Sequence, residues 1–216
     1  MKQLVKYVVL GAALVLVAPT AQAAKGPAPT NVAELVAVVK STYAGTTSVR
    51  ADFTQVVRIA NAPEQAPQKG RLELERPRKM RVDMGVPATH SILSDGSKLW
   101  VHDVKGKALT EMPVNGGGAS YAVLLDDLAR LDDLFVVEML GDGPSKGAWG
   151  LRLTPKTAGA VKSLELQLAK RTYTLERLVV TDPLGNVTEM KFSAVKMNQD
   201  IPDSEFAPPA GVKAGP

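Results

Sequence analysis

Gly70-Arg71-Leu72-Glu73-Leu74-Glu75-Arg76-Pro77 is the stretch that decides the fold. Leu72 and Leu74 fall on one side of it and Arg71, Glu73 and Glu75 on the other. That is the period of a strand with one buried face. Pro77 cannot donate to a ladder and ends the strand. Arg76 shares the parity of the leucines. A regular strand aims its guanidinium at the apolar face, whereas a strand frayed by Pro77 lets it turn to solvent. On the apolar face it needs partners, because a buried unpaired charge is costly. Its five donors suit backbone carbonyls at the end of a helix lying on the sheet.

The same period recurs outward from this stretch. Upstream, Val49, Ala51 and Phe53 alternate with Arg50, Asp52 and Thr54 in a strand from Ser48 to about Ile59, followed by a polar loop, Asn61 to Gln68. Downstream, Met80, Val82 and Met84 alternate with Arg81 and Asp83. Asp95-Gly96, between Ser91–Leu93 and Leu99–His102, marks a hairpin. Either Ile92, Trp100 and His102 or Leu93, Leu99 and Val101 face inward there. Ala108–Met112 is a further short strand. Phe135–Leu140, Ala148–Leu153, Lys162–Leu168, Leu175–Thr181 and Val187–Val195 complete the series, with turns at Gly141-Asp142-Gly143 and Pro183-Leu184-Gly185-Asn186. Short strands without intervening helices argue for an antiparallel meander over a βαβ fold.

Two helices accompany the strands. Asn31 with Glu34 three residues on reads as a capping box, and Val32, Leu35, Val36, Val39 and Tyr43 form one apolar stripe ending near Gly45. After Gly116-Gly117-Gly118, the residues Tyr121, Leu124, Leu125, Leu128 and Leu131 mark a second amphipathic helix, with Asp126, Asp127, Asp132 and Asp133 largely off its stripe. The expected fold is mainly β (α+β): a strongly curved antiparallel sheet with an N-terminal helix and a helical lid over an apolar cavity.

The N-terminus reads as an export signal. Lys2 and Lys6 precede an apolar run from Val8 to Ala18, and Ala21-Gln22-Ala23 fits a small-x-small cleavage site. The expected organisation is a signal peptide over 1–23, a flexible lead-in over 24–30 and one domain over 31–216. The 26 Lys and Arg exceed the 22 Asp and Glu by four, and removing Lys2 and Lys6 leaves an excess of two, which is no nucleic-acid footprint. The absence of cysteine excludes disulfides, thiolate metal sites and lipid attachment through a cysteine.

Catalytic constellations are missing. The two histidines have no evident partners, and no G-x-S-x-G, H-E-x-x-H or P-loop occurs. The paired aspartates lie opposite a leucine stripe, as a solvated helix face does. No enzyme activity, cofactor or metal is expected. An apolar concave face under movable helices is a container for an apolar ligand. Phe53, Leu72, Leu74, Met80, Val82, Met84 and Trp100 are its expected lining, with adaptable methionines also at 112, 139 and 190. An acyl chain of ~16 carbons gains on the order of 12 kcal/mol gross on burial, enough to offset lid opening.

Four stretches in chain order resemble the outer-membrane lipoprotein carrier protein family, LolA. They are Val49-Arg50-Ala51-Asp52-Phe53-Thr54-Gln55, Gly70 to Pro77, Ile92-Leu93-Ser94-Asp95-Gly96-Ser97-Lys98-Leu99-Trp100 and Phe206-Ala207-Pro208-Pro209-Ala210-Gly211-Val212. The resemblance implies an incomplete antiparallel barrel with a helical lid, shuttling lipoproteins through the periplasm. It implies three kinds of partner: the acyl chains of lipoproteins, an inner-membrane ABC transporter and an outer-membrane lipoprotein receptor. It places the lid-holding arginine at Arg76 and the lid helix at Tyr121, Leu124, Leu125 and Leu128. A monomer is expected. A carrier of free lipid or another amphiphile, and a lipoprotein-sensing envelope regulator, are the alternatives on the same scaffold. The chain departs from the family at Met80, Val82 and Met84, where large aromatics are common.

Overall fold

A computed structural model describes residues 28–112, 127–142, 147–209 and 212. The first helix, α1, spans Val32–Ala44 and starts as its sequence dictates. The Asn31 side chain accepts from the Glu34 N–H at 3.0 Å, and Asn31 Nδ2 donates back to the Glu34 carboxylate at 2.9 Å. Leu35, Val36, Val39 and Tyr43 are the buried stripe of α1.

Eleven strands form one antiparallel sheet. They are β1 Ser48–Arg58, β2 Gln68–Glu75, β3 Lys79–Met84, β4 His90–Asp95, β5 Leu99–Asp103 and β6 Ala108–Met112. After a one-turn helix, α2, at Leu131–Leu134, come β7 Phe135–Asp142, β8 Ala148–Pro155, β9 Ser163–Ala169, β10 Leu175–Thr181 and β11 Val187–Met197. The spatial order is β6-β5-β4-β3-β2-β1-β11-β10-β9-β8-β7. Two meanders are therefore joined where β1 pairs with β11. The edges β6 and β7 are consecutive in the chain but do not pair, so the curved sheet stays an open barrel. Nearly every expected strand is present, with ends displaced by a residue or two, as strand ends are.

Register sets the concave face. Val49 lies opposite Leu74, and Leu74 opposite Met80; Ala51 lies opposite Leu72, and Leu72 opposite Val82. Val49, Leu72, Leu74, Met80 and Val82 join the inward leucines of β8, β9 and β10 and the α1 stripe in a single core. Phe53 lies opposite Gly70, and a Cβ on Gly70 would come within 2.3 Å of both the Phe53 ring and the Asp83 carbonyl. Glycine is required there because the ring and the neighbouring strand occupy the space of a side chain.

Bulges preserve this face where parity alone would lose it. Phe192 and Met197 have opposite parity, yet both line the hollow with Val195. The β1–β11 register shifts between Arg50 and Asp52, and Ala194 adopts φ 50°. The extra residue on β11 returns Met197 to the inner face. A second shift, between Leu175 and Arg177, does the same for Leu175 and Leu178 on β10.

The convex face carries a second, smaller layer. A 3-10 turn at Asp203–Phe206 packs on β3 and β4 with Phe206 buried, and Leu93, Trp100 and Leu109 form their own cluster against Val212. Trp100 is thus not in the cavity, and the expected lining is corrected at that position. The Asp95 carboxylate accepts from the N–H groups of Ser97 and Lys98, closing a four-residue turn in which Ser94 pairs with Leu99. This pairing puts Leu93 opposite Trp100, so Ile92, Leu99 and Val101 face inward while Leu93, Trp100 and His102 face out. Neither of the two groupings read from the sequence is the one formed. Glu73 is also buried on this outer face, paired with Arg50 at 2.8 Å; burial pushes its carboxyl up and Arg50 opposes the shift.

Candidate ligand cavity and its latch

Arg76 follows directly on β2, half-buried, and its side chain reaches back to the C-terminus of α1. Nη1 donates to the carbonyls of Tyr43 at 2.8 Å, Ala44 at 3.4 Å and Thr46. The Arg76 backbone N–H donates to the Thr47 carbonyl at 2.9 Å. Carbonyls left over at a helix end carry the negative end of its dipole, and a guanidinium is the cation that can satisfy several at once. Of the two orientations open to Arg76 in the sequence, the one toward a helix end is adopted.

Tyr43 fixes the same helix end to the other half of the sheet. Its hydroxyl accepts from the Leu175 N–H at 2.9 Å, inside the core. Burial drives the Tyr43 hydroxyl pKa upward, so it stays a neutral phenol. One residue therefore joins α1 to β2 through its carbonyl and to β10 through its side chain. Sequence reading placed Tyr43 on the apolar stripe but gave no sign of this polar contact.

The middle of α1 is held by charge. Lys40 pairs with Asp132 on α2, and the contact raises the Lys40 pKa and holds the Asp132 carboxyl below its ordinary value. Between α1, α2 and β7 lies a cavity of about 540 Å³ lined by Val32, Val36, Phe135 and Val137, with Lys40 and Asp132 at its wall.

A cavity of about 480 Å³ lies against the second meander. Leu153, Leu164, Leu166, Leu178, Val180 and Met190 form its floor, and Leu128 and Leu131 cover it. Its volume falls in the range of small-ligand sites, roughly 300–1,000 Å³. Leu128 is 2% exposed and also walls a void of about 30 Å³ between α1 and β1–β2, so it divides the hollow. Of the expected lining, Leu72 and Leu74 reach that small void. Phe53, Met80 and Val82 are buried in the core beside it, and Met84 packs on the same core half-buried. Much of the open volume is on strands β8–β11, where the sequence marks Met190 alone. Of the expected lid helix, Leu128 lies among the described residues; Tyr121, Leu124 and Leu125 fall outside them, as does the expected signal peptide over 1–23.

An open, curved antiparallel sheet with a helix tied onto its inner face and an apolar hollow beside that helix defines a class: a β-sheet container. Residues 44–209 match the family model described as outer membrane lipoprotein carrier protein LolA, and the chain belongs to that family. It is similar to the outer-membrane lipoprotein carrier protein of Methylobacillus flagellatus, 31% identical over 186 residues covering 83% of this chain and 87% of the relative. It is 30% identical over 192 residues to that of Chromobacterium violaceum, covering 88% and 91%. The fold is shared with an uncharacterized conserved protein from Thermus thermophilus, at a TM-score of 0.55 and 16% identity, covering 85% of this chain and 98% of that one. No helix among the described residues is long and apolar enough to cross a membrane.

Proposed function

We propose that the protein binds the acyl chains of lipoproteins in this hollow and moves them through the periplasm, from an inner-membrane ABC transporter to an outer-membrane receptor. It is exported, its leader is removed after Ala23, and it works as a monomer without catalysing a reaction. The observation that carries this reading is an apolar cavity of about 480 Å³ covered by Leu128 and Leu131, where Leu128 also walls the small void beneath the end of α1 that Arg76 holds. Charge-assisted hydrogen bonds to carbonyls exchange with water at a cost of a few kcal/mol. Burying one acyl chain of about 16 carbons gains on the order of 12 kcal/mol gross. A chain can therefore open the hollow, and a partner that competes for the chain lets Arg76 close it again.

The test is a fluorescence titration of cargo-free protein with a triacylated lipopeptide. Val180 is half-buried and lines the cavity, so Val180→Trp fills the space with little change to the packed core. Wild type is expected to saturate, and Val180→Trp to bind at least about tenfold more weakly with its melting temperature kept. Equal affinity in the two proteins would place the chains elsewhere. Binding of free phospholipid in preference to the lipopeptide would favour a lipid carrier.

A further inference from the structure

Six large hydrophobic side chains stand exposed among the described residues, and four of them sit on loops at one end of the barrel. Ile59 follows β1, Val86 lies between β3 and β4, Val104 between β5 and β6, and Leu184 between β10 and β11. Val86 and Leu184 are each 79% exposed. These loops are linked. The Ala60 N–H donates to the Asn186 side chain at 3.0 Å, the Gly85 N–H to the Lys69 carbonyl at 2.7 Å, and the Val104 N–H to the Thr89 carbonyl at 3.0 Å. The tips thus form one rim rather than four separate loops.

The cavity reaches the same end. Pro155, Thr157, Gly159, Ala160, Val161 and Thr188 line it at the end of β8, the approach to β9 and the start of β11. Arg76 and the Tyr43 carbonyl are at the opposite end, where β2 finishes.

The charge of the rim is biased. Lys69, Lys105, Lys107 and Lys162 are exposed around the tips. The acidic groups on these loops number three against the four lysines, and each has a partner. Asp103 accepts from the Gly106 N–H at 2.9 Å, Asp182 from the N–H groups of Leu184 and Asn186 at 2.9 and 2.8 Å, and Glu64 pairs with Arg58 at 3.6 Å. Four isolated aliphatic tips among lysines offer no groove or continuous patch to a folded protein partner. A fluid bilayer needs no matching shape: side chains enter the interface singly and lysines meet lipid phosphates.

We infer that this rim is a docking surface for an anionic phospholipid bilayer, which it touches reversibly with the mouth of the cavity facing the lipid. A chain could then pass between membrane and cavity without crossing bulk water. The test is co-sedimentation of cargo-free protein with phosphatidylcholine vesicles containing about 30% phosphatidylglycerol, in about 50 mM salt and in about 500 mM. Wild type is expected to bind the anionic vesicles, to bind neutral ones less, and to lose binding at high salt. The double variant Val86→Ser/Leu184→Ser, checked for an unchanged melting temperature, is expected to bind at least about fivefold more weakly. Val180→Trp is expected to bind vesicles like wild type, which keeps failure of the rim distinct from failure of the cavity. Absent wild-type binding, or equal sedimentation of the double variant, overturns the inference. Loss of lipoprotein transfer in the double variant while wild type ignores vesicles would assign the rim to a protein partner and overturns it as well.

Discussion

Under the proposed function, Arg76 is the residue that would set the balance between an open and a closed hollow. Its guanidinium satisfies carbonyls of Tyr43, Ala44 and Thr46 that α1 itself cannot pair. In the closed hollow these contacts replace water; in an opened one water replaces them. In the proposed cycle the latch would favour closure by only a few kcal/mol, and that margin would drive cargo out when α1 settles back. Leucine at this position keeps the apolar stem contacts and loses the carbonyl contacts. Arg76→Leu is expected to fold and to take up cargo, but to hand it on at least about tenfold more slowly, since each 1.4 kcal/mol of lost closure is about a factor of ten. A two-membrane transfer assay reads this directly, and delivery at the wild-type rate would remove Arg76 from the mechanism. Parity alone marked Arg76, because an arginine in phase with Leu72 and Leu74 breaks the alternation. Tyr43 was legible as a core residue only, since a phenol on an apolar stripe gives no sign of the N–H it will meet 132 residues later.

Among elements, α1 is the one whose contacts the proposed cycle would have to break and remake. Its buried stripe faces the core, its C-terminal end rests on Arg76 and Tyr43, and its middle is tied to α2 by Lys40 and Asp132. The Lys40 contact holds the Asp132 carboxyl below its unfolded value, so the contribution is present above the ordinary aspartate pKa and is lost as pH falls through the lowered one. The stability difference between wild type and Asp132→Asn is therefore expected to be largest near neutral pH and to shrink below about pH 4. Melting curves across that range check it; a difference that grows on acidification would contradict it. The strands were legible because each buries one face, so period two is written into Gly70–Met84 and its neighbours. Which face a strand presents was less legible. The turn closed by Asp95 inverts parity across its hairpin and sends Trp100 outward, and the bulge at Ala194 restores the inner face by inserting one residue. Both are decided by local hydrogen bonds that a hydrophobic pattern does not encode. The cavity on β8–β11 was marked only at Met190 for a related reason: the inward leucines there read as ordinary core.

At the scale of the molecule, the two meanders have different duties. The first, β1–β6, packs its inner face tightly beneath α1 and carries the C-terminal segment on its outer face. The second, β7–β11, keeps open volume under Leu128 and Leu131. An open barrel permits this division, because the unpaired edges β6 and β7 leave the halves free of a closed hydrogen-bonded ring. Without the proposed leader over residues 1–23 the charge balance is near neutral, which suits the proposed shuttling between two membranes. The central claim is that lipoprotein acyl chains travel in this hollow. Native mass spectrometry of the protein isolated from periplasm measures it most directly. Wild type should appear partly as a one-to-one complex with triacylated lipoproteins, and Arg76→Leu should show a larger share of that complex. Protein recovered with no acylated polypeptide, or only with phospholipid, would contradict the claim.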